Sequence, residues 1–126
     1  MTDSNRRLNL EEISEFASEL PGVVEEQPFG PDVDVLKMGG KMFAILSPDS
    51  SPESISLKCD PDLAIALRLQ HAAVGPGYHL NKRHWNTVHL DETIPDDEVL
   101  QMVTHSYDLV VAGLAKSVCQ RLASSN

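Results

Sequence analysis

A chain of 126 residues is long enough for one domain with its own hydrophobic core, and we expect residues 1–126 to form a single domain. Hydrophobic residues make up 41% and charged residues 23%, which is typical of a globular protein and excludes a disordered one. The net charge of −9 argues against a dedicated nucleic-acid-binding protein.

No apolar run approaches the roughly 18 residues that a membrane-crossing helix requires. The N-terminus also lacks the apolar stretch of a secretory signal. We therefore expect a cytoplasmic protein with no membrane partner, in which residues 1–8 form a flexible N-terminus. Cys59 and Cys119 form no CxxC pair, which is typical of buried thiols in a reducing compartment.

The first predicted element is a helix from about Leu10 to Leu20. Asn9 is a suitable N-cap, and Glu12 three residues later gives a near capping box. The apolar residues of this helix share one stripe: Leu10, Ile13, Phe16, Ala17 and Leu20. Pro21-Gly22 ends the helix.

Three strands are predicted next. Val23–Phe29 is an irregular edge strand because Pro28 cannot donate a hydrogen bond to a ladder. Val33–Met38 and Lys41–Ser47 flank Gly39-Gly40, a pair typical of a two-residue hairpin turn in which both central residues have positive φ.

The third of these strands has apolar residues on both faces. Strict alternation predicts that its residues divide into two sets, Met42, Ala44 and Leu46 against Phe43 and Ile45. Such a strand is central, or belongs to a sheet covered on both sides by helix or by a partner.

A fourth strand, Ile55–Cys59, alternates cleanly between apolar and polar residues. We expect Ile55, Leu57 and Cys59 to face the core, and Ser56 and Lys58 to face outward. The segment between this strand and the previous one is rich in Ser, Pro and Asp, which predicts a solvated loop.

The second predicted helix begins at Pro61 after the N-cap Asp60, and it extends to about His71. The segment Val74-Gly75-Pro76-Gly77 is expected to break the chain. Another strand is predicted over His84–Leu90.

A long helical pattern begins at Pro95 and reaches about Leu122. Periodicity leaves open whether this helix is unbroken or bends near Ser106. Strands grouped before helices, without strict alternation, indicate an α+β two-layer sandwich in which helices pack on one face of an antiparallel sheet. The predicted order is α-β-β-β-(β)-α-β-β-α.

Four segments, by their order and spacing, resemble the MmcQ/YjbR family. These segments are Leu20-Pro21-Gly22-Val23 with Glu25, Glu26 and Phe29; Gly40-Lys41-Met42-Phe43-Ala44; Gly77-Tyr78-His79-Leu80-Asn81-Lys82-Arg83-His84-Trp85; and Ser106-Tyr107-Asp108-Leu109-Val110-Val111. The resemblance spans about Leu10 to Leu122. It implies a two-layer α-β-β-β-α-β-β-α sandwich of the secretion-chaperone-like type, and DNA binding through a double-wing arrangement of loops or hairpins.

The most informative cluster of side chains lies at Lys82-Arg83-His84-Trp85. On a strand over His84–Leu90, Val88 faces the core and Trp85 faces away from it. An exposed indole beside Lys82 and Arg83 would stack on bases while the cations hold phosphates.

Six residues therefore form the predicted nucleic-acid or anion site: Lys82, Arg83, Trp85, Lys41, Lys58 and Arg68. In the alternative interpretation, Trp85 packs against a helix or loop and the cations only keep that edge soluble. A small-molecule pocket would instead involve Tyr78, His79 and His84.

Enzymatic motifs are not found in the sequence: it has no P-loop, no dinucleotide fingerprint and no G-x-S-x-G elbow. The histidines are not spaced to share a face, so we expect no metal, no cofactor and no catalytic residue. We predict a non-enzymatic binding domain with DNA as a weak, salt-sensitive partner. The alternatives are a structural or protein-interaction module that forms a chaperone-like homodimer, and a binder of a small anionic ligand.

Overall fold

The computed structural model describes residues 8–28, 30, 32–49, 52–77 and 80–124, with side chains as far as Leu114. Within these ranges the elements are α1 (Leu10–Ser18), β1 (Val23–Glu26), β2 (Asp34–Met38), β3 (Lys41–Ser47), β4 (Ser54–Lys58), α2 (Pro61–Gln70), β5 (Val74–Pro76), β6 (Trp85–His89) and α3 (Asp96–Ser124). None of these helices is long and apolar enough to span a bilayer.

The six strands form one antiparallel sheet in the order β1-β2-β3-β4-β6-β5. α2 carries the chain from β4 to the far edge, and β6 returns to pair between β4 and β5. α1 packs on β1 and α3, α3 packs on β2, β3 and β4, and α2 packs on β5 and β6. The α+β two-layer prediction is confirmed, and four strands, β1 to β4, precede α2, so the optional strand of the predicted order is present.

The predicted N-caps of α1 and α2 are confirmed. Asn9 Oδ1 accepts a hydrogen bond from the Glu12 amide at 2.9 Å, and Glu12 Oε1 accepts one from the Asn9 amide at 3.0 Å, which completes the capping box. Asp60 Oδ2 accepts from the amides of Asp62 and Leu63 and so caps α2. α1 ends at Ser18, two residues before the predicted end.

The predicted hairpin turn is confirmed, whereas two other segments differ from the sequence expectations. Gly39 and Gly40 have φ of 61° and 82°, which is the predicted hairpin turn with two positive φ angles. Val74–Pro76, expected as a break, instead forms β5. β1 ends at Glu26, and Phe29, the predicted end of that strand, lies outside the described residues.

The last helix is continuous, which decides between the two alternatives for Ser106. The buried residues of this helix follow a helical period and face the sheet: Val99, Val103, Tyr107 and Val110. They join α1 and one face of the sheet in a single core, to which Ile13, Leu36, Phe43, Leu46 and Ile55 contribute fully buried side chains.

Strict alternation in β3 fails at Phe43. The register between β2 and β3 shifts after Leu36, which pairs with Ala44, while Lys37 pairs with Met42. Phe43 is therefore the extra residue of a β-bulge, and Phe43 and Ala44 are both fully buried in the same core cluster. The prediction that Phe43 and Ala44 face opposite ways is wrong because a bulge resets the period of two.

The bulge is held by a buried hydroxyl from α3. Ser106 Oγ donates to the Phe43 carbonyl at 2.6 Å and accepts from the Lys58 amide at 2.9 Å, so it joins α3 to β3 and β4. Beside it, the Tyr107 ring makes an edge contact with Phe43, with centroids 5.5 Å apart, and its hydroxyl donates to the Pro21 carbonyl. Buried polar groups of this kind must be paired, and here each partner is backbone.

Candidate functional site

Trp85 lies on the predicted face of the sheet but is not exposed. Val88 belongs to the core cluster on the helix side, whereas Trp85 pairs with Lys58 and faces away from the helices. The indole is nevertheless only 6% exposed. The prediction of an exposed, stacking indole is wrong.

Two neighbours lie close to Trp85. The Gly77 amide donates to the Trp85 carbonyl at 2.9 Å, and a Cβ added at Gly77 would lie 2.7 Å from the Trp85 Cβ. The chain can therefore pass against the tryptophan only because residue 77 has no side chain. On the next strand, the Lys58 Nζ lies 5.9 Å from the ring centroid, within the range of a cation–π interaction.

Arg68 is already occupied by contacts within the chain. Its Nε donates to Asn86 Oδ1 at 2.7 Å, its Nη2 donates to the Lys82 carbonyl, and the same Nη2 lies 3.4 Å from the Trp85 carbonyl. These bonds attach α2 to β6 and to the loop before it. We conclude that Arg68 positions α2, and its guanidinium has few donors left for an external anion.

The remaining predicted cations lie at one end of the sheet. Lys82 and Arg83 are exposed in the loop before β6, Lys58 ends β4, and Lys41 begins β3 beside the hairpin turn. Because β3, β4 and β6 are consecutive neighbours in an antiparallel sheet, all four residues meet at the same end. We call Lys41, Lys58, Lys82 and Arg83 the basic end.

The opposite end of the sheet is acidic. The segments there, 27–34, 48–53 and 90–98, contain nine Asp and Glu residues and no Lys or Arg. We call these segments the acidic end. At its edge, burial raises the pKa of Glu25, and the neighbouring Asp34 raises it further. A carboxyl pKa raised in this way is expected where negative charges accumulate.

The predicted small-molecule pocket is only partly within the described residues. Tyr78 and His79 lie outside them, and His84 is exposed in the turn just before β6. A different cavity, of about 250 Å³, opens between α2 and α3 on the helix side of the sheet. Its floor and its α2 wall are formed by Leu57, Cys59, Asn86, Val88, Leu63 and Leu67. We call this cavity the interhelical cleft.

The α3 wall of the interhelical cleft carries its polar groups. Glu98, Gln101, Met102 and His105 line it at helical spacing. This polar stripe was not predicted from the sequence, in which the apolar stripe of the same helix is the stronger pattern. The available signal was three polar residues and a methionine at positions i, i+3, i+4 and i+7 of α3, directly beside core positions.

The floor of the interhelical cleft contains a neutral thiol. Cys59 is 5% exposed, and its burial, together with the nearby Asp60 carboxylate, raises the pKa of the thiol to about 11. At neutral pH such a thiol behaves as a small apolar group. Among the described residues, no group of three or more His, Cys, Asp or Glu could hold a metal ion.

Comparison with known proteins places these features in a family. A family model described as YjbR matches residues 18–109. The chain belongs to the YjbR family. The matched residues include the basic end and every residue named above for the interhelical cleft.

Relatives and similar solved structures agree with this assignment. The chain is 41% identical to the uncharacterized protein YbdF of Escherichia coli O157:H7, over 80% of this chain and 83% of that protein. It is 33% identical to the uncharacterized protein YjbR of Escherichia coli K12, over 82% and 88%.

The crystal structure of Deinococcus radiodurans protein DR2400, described as a DUF419 domain, matches with a TM-score of 0.76 at 36% identity, over 81% of this chain and 78% of that one. A Pseudomonas syringae crystal structure matches with a TM-score of 0.72 at 26% identity, over 82% and 99%.

Proposed function

We propose that this YjbR-family chain is a non-enzymatic binding domain whose basic end holds the phosphate backbone of a nucleic acid. The observation that carries the proposal is the uneven charge along the strands, with four cations and the carboxylates of Asp60 and Asp62 at one end and nine carboxylates and no cation at the other. A local positive surface can attract a polyanion although the net charge is −9.

The individual side chains support phosphate contacts. Lys41, Lys82 and Arg83 are exposed, and the ammonium of Lys58 is half-buried above the indole. Asp60 is the carboxylate nearest to Lys58 in sequence. It accepts hydrogen bonds from the Asp62 and Leu63 amides and is therefore directed toward the start of α2.

Base stacking on Trp85 is not part of this proposal. Trp85 is buried, so the contacts available to a nucleic acid are phosphate contacts, which carry no sequence information. We expect Trp85 to emit at short wavelength and to keep its intensity when single-stranded DNA is added. Strong quenching by DNA, but not by the same concentration of polyphosphate, would show that the ring stacks on bases.

The test is a fluorescence anisotropy titration with labelled single- and double-stranded DNA. At about 50 mM salt we expect a Kd in the non-specific range, about 10⁻⁴–10⁻⁶ M, for both forms. Four phosphate contacts give a slope of log K against log salt concentration of about −3.6 for double-stranded and about −2.8 for single-stranded DNA, so binding should nearly vanish at about 200 mM. A negligible signal at both salt concentrations rejects the proposal.

A double substitution separates the basic end from overall charge. Lys82→Glu with Arg83→Glu should weaken DNA binding about tenfold or more at low salt. The matched control is Arg6→Glu with Arg7→Glu, which makes the same change of −4 in net charge in another adjacent pair of bases. Equal losses in the two variants would mean that net charge, and not the basic end, controls binding.

Self-association is a second candidate function, and one observation favours it. Ile65 and Leu69 are 55% and 84% exposed on α2, one helical turn apart. Large exposed apolar side chains next to each other are typical of contact surfaces. Light scattering across a concentration series tests this candidate: a stable dimer that dissociates in an Ile65→Gln/Leu69→Gln variant supports it, and a monomer throughout rejects it.

A further inference from the structure

We propose that the interhelical cleft binds a small molecule with an apolar body and a positively charged amino head group. The site goes beyond nucleic-acid binding because it lies on the helix side of the sheet. Lys58 borders both sites, but its backbone amide faces Ser106 while its ammonium lies over Trp85 on the opposite face.

The size and floor of the interhelical cleft define the body of the ligand. Its volume of about 250 Å³ is below the roughly 300–1,000 Å³ of sites for drug-sized molecules, which favours a compact ligand over a dinucleotide or peptide. Leu57, Val88, Leu63 and Leu67 supply an aliphatic surface, and the Cys59 thiol between them is uncharged. An apolar ring or short alkyl group gains by leaving water for such a surface.

The α3 wall defines the head group. Glu98 Oε1 lies 3.0 Å from His71 Nε2, and a carboxylate has further acceptor sites for a ligand N–H. His105 Nε2 accepts from the Asp60 amide at 3.3 Å and lies two helical turns, about 10 Å, along α3 from Glu98, so it lines the far end of the interhelical cleft. The Glu98 carboxylate beside an aliphatic surface suits an ammonium group that carries an apolar substituent.

The charges around the interhelical cleft favour a cation over an anion. The ammonium of Lys58 lies on the other face of the sheet, and the guanidinium of Arg68 keeps its positive charge but is directed to Asn86 Oδ1 and the Lys82 carbonyl. Within the described residues, Glu98 pairs with His71 and no Lys or Arg lies within ion-pair distance of it, and Asp97 precedes it on α3. A carboxylate in a partly apolar wall attracts a cation more strongly than one in open water.

The surface of α2 argues against a protein as the occupant. Leu63 and Leu67 line the interhelical cleft, whereas Ile65 and Leu69, two positions further along in each case, lie on the opposite side of the helix and are exposed. A protein docked on the apolar residues of α2 would therefore sit away from the cleft and leave it open.

The test uses three probes of similar shape on the full chain: phenethylamine, uncharged phenethyl alcohol and anionic 3-phenylpropionate. Amide chemical shifts, followed by two-dimensional NMR, report where each probe binds. We expect phenethylamine to shift the amide signals of residues 57–67, 86–88 and 98–105. Its affinity should be at least about tenfold higher than that of the alcohol, and the carboxylate should bind more weakly still.

Two substitutions with the same change of charge sharpen the test. Glu98→Gln should lower phenethylamine affinity about tenfold, whereas Asp97→Asn, one residue earlier and exposed, should change it less than about twofold. Gln101→Trp, at an exposed position of the cleft rim, should block all three probes while the NMR spectrum stays folded.

Three results would overturn the inference. One is shifts that cluster outside the interhelical cleft, and another is equal affinity for the amine and the alcohol. The third is equal sensitivity to Glu98→Gln and Asp97→Asn. None of these results would alter the DNA titration, so the two proposals fail separately.

Discussion

The two helices that border the interhelical cleft are attached to the sheet in different ways. α3 is held by a buried hydroxyl, because Ser106 bonds to the backbone of β3 and β4, and by the packed ring of Tyr107. α2 has only Ala64 fully buried, and its strongest polar attachment is Arg68 on Asn86. The helix side of the sheet thus has one helix, α3, attached by buried groups and another, α2, attached mainly by partly exposed ones.

The sequence of α2 explains the difference. Its large apolar residues, Leu63, Ile65, Leu67 and Leu69, recur at every second position, which is the period of a strand. On a helix that pattern divides them between opposite sides, so half of them must remain in water. α3 has its apolar residues at spacings of three and four, so one side can be buried completely. The comparison teaches that total hydrophobicity does not determine how well a helix docks.

The largest effect that we expect comes from Ser106→Ala. The Phe43 carbonyl and the Lys58 amide both lose their hydroxyl partner inside the core, which should lower the free energy of unfolding by about 2–3 kcal/mol. Urea denaturation followed by circular dichroism measures it. Thr104→Ala is the control, because Thr104 only bonds back to Leu100 in its own helix and its loss should cost less than about 0.5 kcal/mol.

Equal effects of the two substitutions would break the comparison. That result would mean that the Ser106 hydroxyl contributes to α3 as a helix and does not attach α3 to the bulge in β3.

Arg68→Ala should have an intermediate effect that is confined to α2. Removing the guanidinium leaves the buried Asn86 Oδ1 without its donor, and the expected cost is about 1–2 kcal/mol. Arg68→Lys should not restore it, since an ammonium cannot reproduce the planar fork of donors. Hydrogen exchange should show faster exchange of α2 amides while α3 amides near Val103 keep their protection. Equal loss of protection in both helices would contradict independent attachment.

The smallest effect is expected on the outer side of α2. Ile65→Gln and Leu69→Gln should each change the free energy of unfolding by less than about 0.5 kcal/mol because both side chains are already in water. Leu67→Gln is the matched control on the same helix, and it should cost more because Leu67 packs against the core. Thermal denaturation of the three variants measures this difference, and similar losses at all three positions would show that α2 is buried more evenly.

Local chemistry made much of the fold predictable from sequence. Asn9 with Glu12, Gly39-Gly40 and Asp60-Pro61 each have a conformational requirement that neighbouring residues alone determine. The two faces of β6 also followed from alternation, since Val88 is in the core and Trp85 faces away from the helices.

The parts that could not be predicted depend on distant neighbours. The bulge at Phe43 changes the direction of side chains without any Gly or Pro to mark it. The close approach of Gly77 to the backbone and Cβ of Trp85 depends on the pairing of β5 with β6, and the role of Arg68 depends on Asn86, eighteen positions later. The interhelical cleft exists because α2 and α3 pack on different strands, a relation that no single segment contains.

The two edges of the sheet limit how this chain can meet another copy of itself. β1 has only four residues, and the last two, Glu25 and Glu26, are both exposed. β5 has three residues and ends at Pro76, which has no amide hydrogen to offer. Short, charged or proline-ended edges resist addition of a further strand. We therefore expect copies of this chain to associate through side-chain surfaces and not by pairing of strands across these two edges.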